Sequence, residues 1–191
     1  MRLIPFEEEI SRERIEWLLH ELQSDYGRGL VFIDSPGGAF EFFSQLAPPL
    51  ARSGFVSVGS RVASAAIVLQ LLGRERLATP DATFFFHEVR TIVEPGGEFS
   101  IYDLERALDM EREMKERWSN SEREFVERWH DQQASAQSWM LSFIARQTGL
   151  PSGRFVDLMR NEVTLSAQEA QRYGIVHRIV TEDELDGLCG S

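Results

Sequence analysis

Three short segments of the 191-residue chain carry residues that could do acyl chemistry: Ser35-Pro36-Gly37-Gly38, the serine at position 64 and the histidine at position 87. A serine becomes a nucleophile only with a base to take its proton, and acyl transfer needs N–H donors aimed at the developing oxyanion. His87 is the candidate base for Ser64. Ser64 opens an apolar stretch that reads as a helix. The N–H of Ala65 therefore falls in a first turn, without an intrahelical acceptor and at the positive end of the helix dipole. Gly37 and Gly38 put no side chain between their N–H groups and a ligand, so this loop can bring a second donor close. Taken singly, each segment has a plainer reading: a tight turn, a small residue at a helix start, and a hydrogen-bonded histidine under a loop.

Each of the three follows a predicted strand. The run Leu30-Val31-Phe32-Ile33 is continuously apolar, as expected for a strand covered on both faces, and it stops at Asp34-Ser35-Pro36-Gly37-Gly38. Phe55 to Val58 predicts a second buried strand that runs into Gly59-Ser60, followed by a helix from Ser64 to Leu72 that is apolar nearly all round and ends at Gly73. Thr83 to Phe86 predicts a third strand, ending at His87. Ile175 to Val180 predicts a fourth, after a helix from Ala167 to Tyr173 whose Ser166 and Glu169 stand at capping-box spacing. Nearer the start, Leu3 to Phe6 is a short apolar strand. The helix after it gathers Ile10, Ile15, Leu18, Leu19 and Leu22 on one face until Tyr26, Gly27 and Gly29, and Phe40 to Leu46 reads as a helix ended by Pro48-Pro49. Strands alternating with helices predict an α/β fold with mainly parallel strands, and in such sheets reactive groups collect outside the carboxyl ends of the strands.

The stretch from Ser100 to Thr148 differs in kind. It is rich in Glu and Arg and helical by propensity, with Ser100/Asp103 and Ser119/Glu122 at capping-box spacing. Leu104, Leu108, Trp118, Phe125, Trp129, Trp139 and Phe143 are too many large apolar residues for a solvated face, so a cover is expected from elsewhere in the chain or from a second copy. The expectation is a homo-oligomer, and a mobile tail over Gly187 to Ser191.

Composition narrows the function classes. Thirty-one acidic against 20 basic residues leave a formal charge of -11, which disfavours nucleic acid and anionic membranes as partners. The one cysteine, Cys189, excludes an intrachain disulfide and any cysteine-built metal site. An acidic start and the lack of a long apolar run fit a cytoplasmic protein with no membrane partner. With 42% hydrophobic residues the length suits one domain, 1–191, carrying a helical insertion at about 100–148.

Four stretches in order resemble the proteolytic subunit of the Clp protease, within the Clp/crotonase fold family. They are Phe32-Ile33-Asp34-Ser35-Pro36-Gly37-Gly38, then Ala63-Ser64-Ala65-Ala66 to Gly73, then Pro80-Asp81-Ala82-Thr83-Phe84-Phe85-Phe86-His87, and Leu165-Ser166-Ala167-Gln168-Glu169-Ala170 with Tyr173-Gly174. The resemblance implies a serine peptidase acting on peptides or unfolded polypeptides without a metal or organic cofactor. It places Ser64 as nucleophile, His87 as base, and Gly38 and Ala65 as oxyanion-hole donors. The family has an Asp four residues before the Ser of the Leu-Ser-Ala-x-Glu-Ala motif; here that position is Glu162, one methylene longer, with Asp157 and Asn161 as reserves. It also implies a ring, with the 100–148 stretch in place of the helical handle, longer than in the family. The family's pore-lining N-terminal segment has no counterpart, which leaves partnership with an unfolding ATPase open.

Three rivals keep or vary this fold. A crotonase-like acyl-CoA enzyme would use the paired N–H groups against a thioester oxygen, with Arg61, Arg74 and Arg76 available for phosphates. A serine-lysine peptidase would need Lys115, the only lysine, which reads as a solvated helix residue. A catalytically inactive scaffold or regulatory ring subunit would explain the change to Glu162.

Overall fold

The computed structural model describes residues 1–24, 29–93, 97–100, 103–106, 108–109 and 119–190. Contacts divide the chain into two compact units, Met1–His87 with Phe143–Ser191, and Glu88–Ser142.

The first unit is built on a six-stranded sheet. β1 (Arg2–Phe6), β2 (Gly29–Ser35), β3 (Val56–Ala63) and β4 (Glu75–Phe85) pair in that order, all parallel. The helices between them are α1 (Arg12–Ser24), α2 (Phe43–Ser53) and α3 (Ala66–Leu72). β2 carries the Leu30–Ile33 run and is buried along both faces, as continuous apolarity requires. All seven residues of α3 are buried, Gln70 included: its Nε2 donates to the Leu77 carbonyl, and its own carbonyl accepts from Ser57 Oγ.

Several sequence expectations are corrected here. The helix expected to stop at Pro48-Pro49 instead begins at Phe43 and runs through both prolines to Ser53, capped by Gly54 at φ 68°. Each proline removes one ladder bond, and the two carbonyls left without an amide partner, on Ser44 and Gln45, belong to exposed residues that water can reach. Gly59-Ser60 is not a turn, because β3 continues through it to Ala63. Ile10 lies outside α1 and forms an isolated parallel bridge with Gly38. The third strand starts not at Thr83 but at Glu75. Its Pro80 falls where β4 bulges away from β3, between the Gly59–Ala78 and Arg61–Thr83 pairs, and so costs the sheet no ladder bond there.

After α5 (Ser152–Arg160), the three residues of β7 (Thr164–Ser166) run antiparallel to the end of β4, and β8 (Arg178–Ile179) runs parallel to its beginning. α6 (Ala167–Arg172) starts with the expected box: Ser166 Oγ accepts from the Glu169 amide, and the Glu169 carboxylate accepts from the Ser166 amide. The expected strand from Ile175 to Val180 is reduced to β8. The tail expected to be mobile is largely helix α7 (Glu182–Cys189), whose Leu185 and Leu188 pack on the buried cluster of Leu30, Val56, Val58, Leu77 and Val180.

The second unit holds a hairpin of β5 (Arg90–Val93) with β6 (Gly97–Ser100) and most of the long helix α4 (Asn120–Thr148). Ser100 and Asp103 cap each other reciprocally, as their spacing predicts. Of the large apolar residues, Leu104 and Phe143 are buried, whereas Phe125 is 40% exposed and lies edge-on to Trp129. Lys115 and Trp118 fall outside the described residues. Among the described residues no helix is long and apolar enough to cross a membrane.

Candidate active site

Ser64 sits between β3 and α3, in the left-handed region at φ 54°. Such a conformation is costly for a residue with a Cβ, and here it is held from three sides. The Ser64 amide donates to the Phe85 carbonyl at 3.0 Å, its carbonyl accepts from Ile67, and the backbone of Gly37 presses against it. The expected helix from Ser64 therefore begins two residues later, at Ala66. Ala65 is its N-cap, and the Ala65 N–H has no acceptor among the described residues. The sequence places this N–H in the helix's first turn; here it is on the N-cap residue.

The Pro-Gly-Gly loop is brought to this point by its glycines. Gly37 has φ 96° and Gly38 φ 140°, both in the region that disfavours a side chain. A methyl group on Gly37 would meet Ser64 Cβ at 2.6 Å, the Ala63 carbonyl oxygen at 2.8 Å and the Ala65 nitrogen at 3.1 Å. Gly37 is thus the closest-approach residue, which sequence reasoning did not separate from its neighbour. The Ile10 amide donates to Gly37 O, and the Ala39 amide donates to Ile10 O, at 2.7 and 2.9 Å. In a parallel bridge of this kind the N–H and C=O of the central residue point away from the partner, so those of Gly38 face away from Ile10.

β4 delivers His87 to the same edge. Residues alternate faces along the strand: Phe84 and Phe86 are fully buried, and Phe85 and His87 share the opposite face with ring centroids 5.6 Å apart. Since Ala63 pairs with Phe85, Ser64 and His87 both lie just past the last paired residues of adjacent strands. On the other side of β4, Phe85 pairs with Thr164, and the Phe86 amide donates to Val163 O at 3.0 Å. Glu162 comes just before Val163, in the turn that follows α5, and its amide donates to the Met159 carbonyl at 3.2 Å. Glu162 is exposed and also left-handed, at φ 49°. Of the two reserves, Asn161 is engaged at the end of α5, where its Nδ2 donates to the Asp157 carbonyl at 2.8 Å, and the Asp157 side chain is exposed.

The arginines that a CoA phosphate would require are mostly occupied. Arg61 forms a two-point ion pair with Asp34 at 2.8 and 2.9 Å, which raises its pKa, chiefly through the hydrogen bonds. Arg76 is buried and turned toward His177 and the Gln147 carbonyl. Arg74 is exposed.

No protein-family model matches the sequence, and no curated protein sequence does. Solved structures do match by shape. A mutant of ClpP1 from Listeria monocytogenes is similar at a TM-score of 0.66 and 20% identity, over 98% of this chain and 94% of that one. The mainly parallel sheet with its buried helices is thus a Clp-like α/β fold.

Proposed function

We propose that the chain is a Clp-like serine peptidase that hydrolyses peptide bonds in peptides or unfolded polypeptides. Ser64 attacks the carbonyl carbon while His87 takes its proton. Gly38 and Ala65 donate to the oxyanion, and Glu162 holds the imidazole in the tautomer whose free nitrogen faces the serine. The proton on His87 then goes to the leaving amine, and water repeats the sequence on the acyl-enzyme. What supports this reading is the strained Ser64 turn, packed against Gly37 and bonded to β4 two residues before His87. A site that holds a serine in a costly backbone conformation is spending stability on its position.

The test is labelling with a fluorophosphonate followed by peptide mapping. A single adduct on Ser64, lost in Ser64→Ala, is the expected result; a folded protein that takes no label while a control peptidase labels fully removes the peptidase reading in favour of an inactive ring subunit. Because the base must be neutral, labelling and hydrolysis are expected to rise together as the pH is raised through the imidazole titration. The same reading includes a cytoplasmic homo-oligomeric ring. Exposed Phe125 on α4 agrees with a face covered by another copy, and sedimentation at micromolar concentration decides it.

A further inference from the structure

We infer that Ser35 is a positioning residue for the oxyanion donor Gly38, an inference that rests on the peptidase reading above. Ser35 ends β2 and is 1% exposed. Its hydroxyl does two things at once: it donates to the Glu8 carbonyl at 2.7 Å and accepts from the Gly37 amide at 3.3 Å. The hydroxyl therefore ties the Pro-Gly-Gly loop to the connection between β1 and α1. That connection grips the loop a second time through the two Ile10 bonds.

The four amide positions of the loop are then accounted for one by one. Pro36 has no N–H. The Gly37 N–H is held by Ser35, and the Ala39 N–H is held by Ile10. The Gly38 N–H remains, with no acceptor among the described residues, in the peptide that follows the Gly37 contact with Ser64. Both glycines occupy regions of φ in which their side-chain-free backbone is otherwise loosely constrained. Orientation of the Gly37–Gly38 peptide thus falls to the groups on either side of it. The Ile10 amide holds the Gly37 carbonyl of that peptide, and the Ser35 hydroxyl holds the Pro36–Gly37 peptide immediately before it, so the Ser35 bond fixes the plane from which the Gly38 N–H is set.

A catalytic effect follows from the difference between ground and transition states. Ground-state peptide binding makes little use of the oxyanion donor, whereas a tetrahedral adduct depends on it. Loss of the Ser35 hydroxyl is therefore expected to lower kcat about tenfold and leave KM within about twofold, a milder effect than outright removal of an oxyanion donor.

The experiment compares wild type, Ser35→Ala and Ser35→Cys with two ligands, a peptide boronate that forms a tetrahedral adduct with Ser64 and the corresponding unreactive product peptide. The expected result is a loss of about tenfold in boronate affinity with product-peptide affinity unchanged. Ser35→Cys, which keeps the volume but weakens both hydrogen bonds, is expected to show the same selective loss, and it serves if Ser35→Ala does not fold. Equal losses for both ligands would mean a merely structural role and overturn the inference. Unchanged boronate affinity in the variants overturns it too, while leaving the peptidase reading standing. Wild type that binds no boronate and takes no fluorophosphonate label overturns the peptidase reading itself, and this inference with it.

Discussion

Gly37 and Ser64 approach so closely that a methyl group on the glycine would lie 2.6 Å from the serine Cβ, with backbone atoms of Ala63 and Ala65 just behind. Backbone cannot move aside as a flexible side chain can, so the position excludes every residue but glycine. Gly37→Ala is expected to cost about 1–3 kcal/mol of stability from left-handed strain and overpacking, and to lower Ser64 labelling more than tenfold. Gly149 provides the control. It also has positive φ, at 74°, but nothing lies within 4 Å of its missing Cβ. Gly149→Ala is expected to cost about 1 kcal/mol by denaturant unfolding and leave labelling unchanged.

The strain at Ser64 is itself measurable. If φ 54° is imposed by the surrounding bonds, Ser64→Gly relieves it and Ser64→Ala does not. The glycine variant is expected to be about 1 kcal/mol more stable than the alanine variant by urea unfolding, although glycine ordinarily loses stability through its unfolded state. An alanine variant as stable as the glycine one would mean that the turn stores no strain.

Glu162 is the residue with most at stake. As the group that orients His87, it makes Glu162→Gln expected to lower hydrolysis on the order of 10³- to 10⁴-fold with the fold intact, because an amide can hold the wrong tautomer. Glu162→Asp keeps the carboxylate and is expected to retain far more activity. Rates within about twofold of wild type for both variants would assign Glu162 to the solvated end of α5 and leave a serine-histidine pair.

A pH effect on stability is expected away from the site, at Arg76 and His177. The guanidinium and amide of Arg76 face both ring nitrogens of His177, at 3.0 and 3.2 Å, yet a neutral imidazole accepts at only one of them and an imidazolium at neither. Burial, and then the Arg76 charge, lower the pKa of His177, against a smaller opposing pull from Glu75. Burial likewise lowers that of Arg76. A histidine whose folded pKa lies below its unfolded one contributes stability above the unfolded value, near 6.5, and loses it as pH falls through the folded value. Unfolding free energy is therefore expected to fall as pH drops below about 6.5, and His177→Gln to flatten that dependence. An equal slope in the variant would assign the effect to other groups.

Much of the frame was legible in the residues. β2 shows itself because a strand covered on both faces must be apolar throughout, and α3 because a helix apolar all round has nowhere to go but the interior. The Ser166–Glu169 box is a local bond pattern, closed within four residues, and it formed as spaced. The Pro-Gly-Gly loop and the serine before a buried helix were legible for the same reason.

What distance decides was not. Charged Glu75 and Arg76 do not read as strand, and they join β4 because β3 lies along one side of them while His177, 101 residues on from Arg76, meets the guanidinium. β7 is three residues long and carries no periodicity, yet it pairs antiparallel with the end of β4, Thr164 opposite Phe85. The left-handed turns at Ser64 and Glu162 are equally invisible in residue type, since neither residue favours that conformation. Sequence determined which residues could be buried and which stood at the ends of strands. Only the tertiary structure decided which of them meet, because pairing between distant strands is set by the register of the whole sheet and not by the propensity of any one segment.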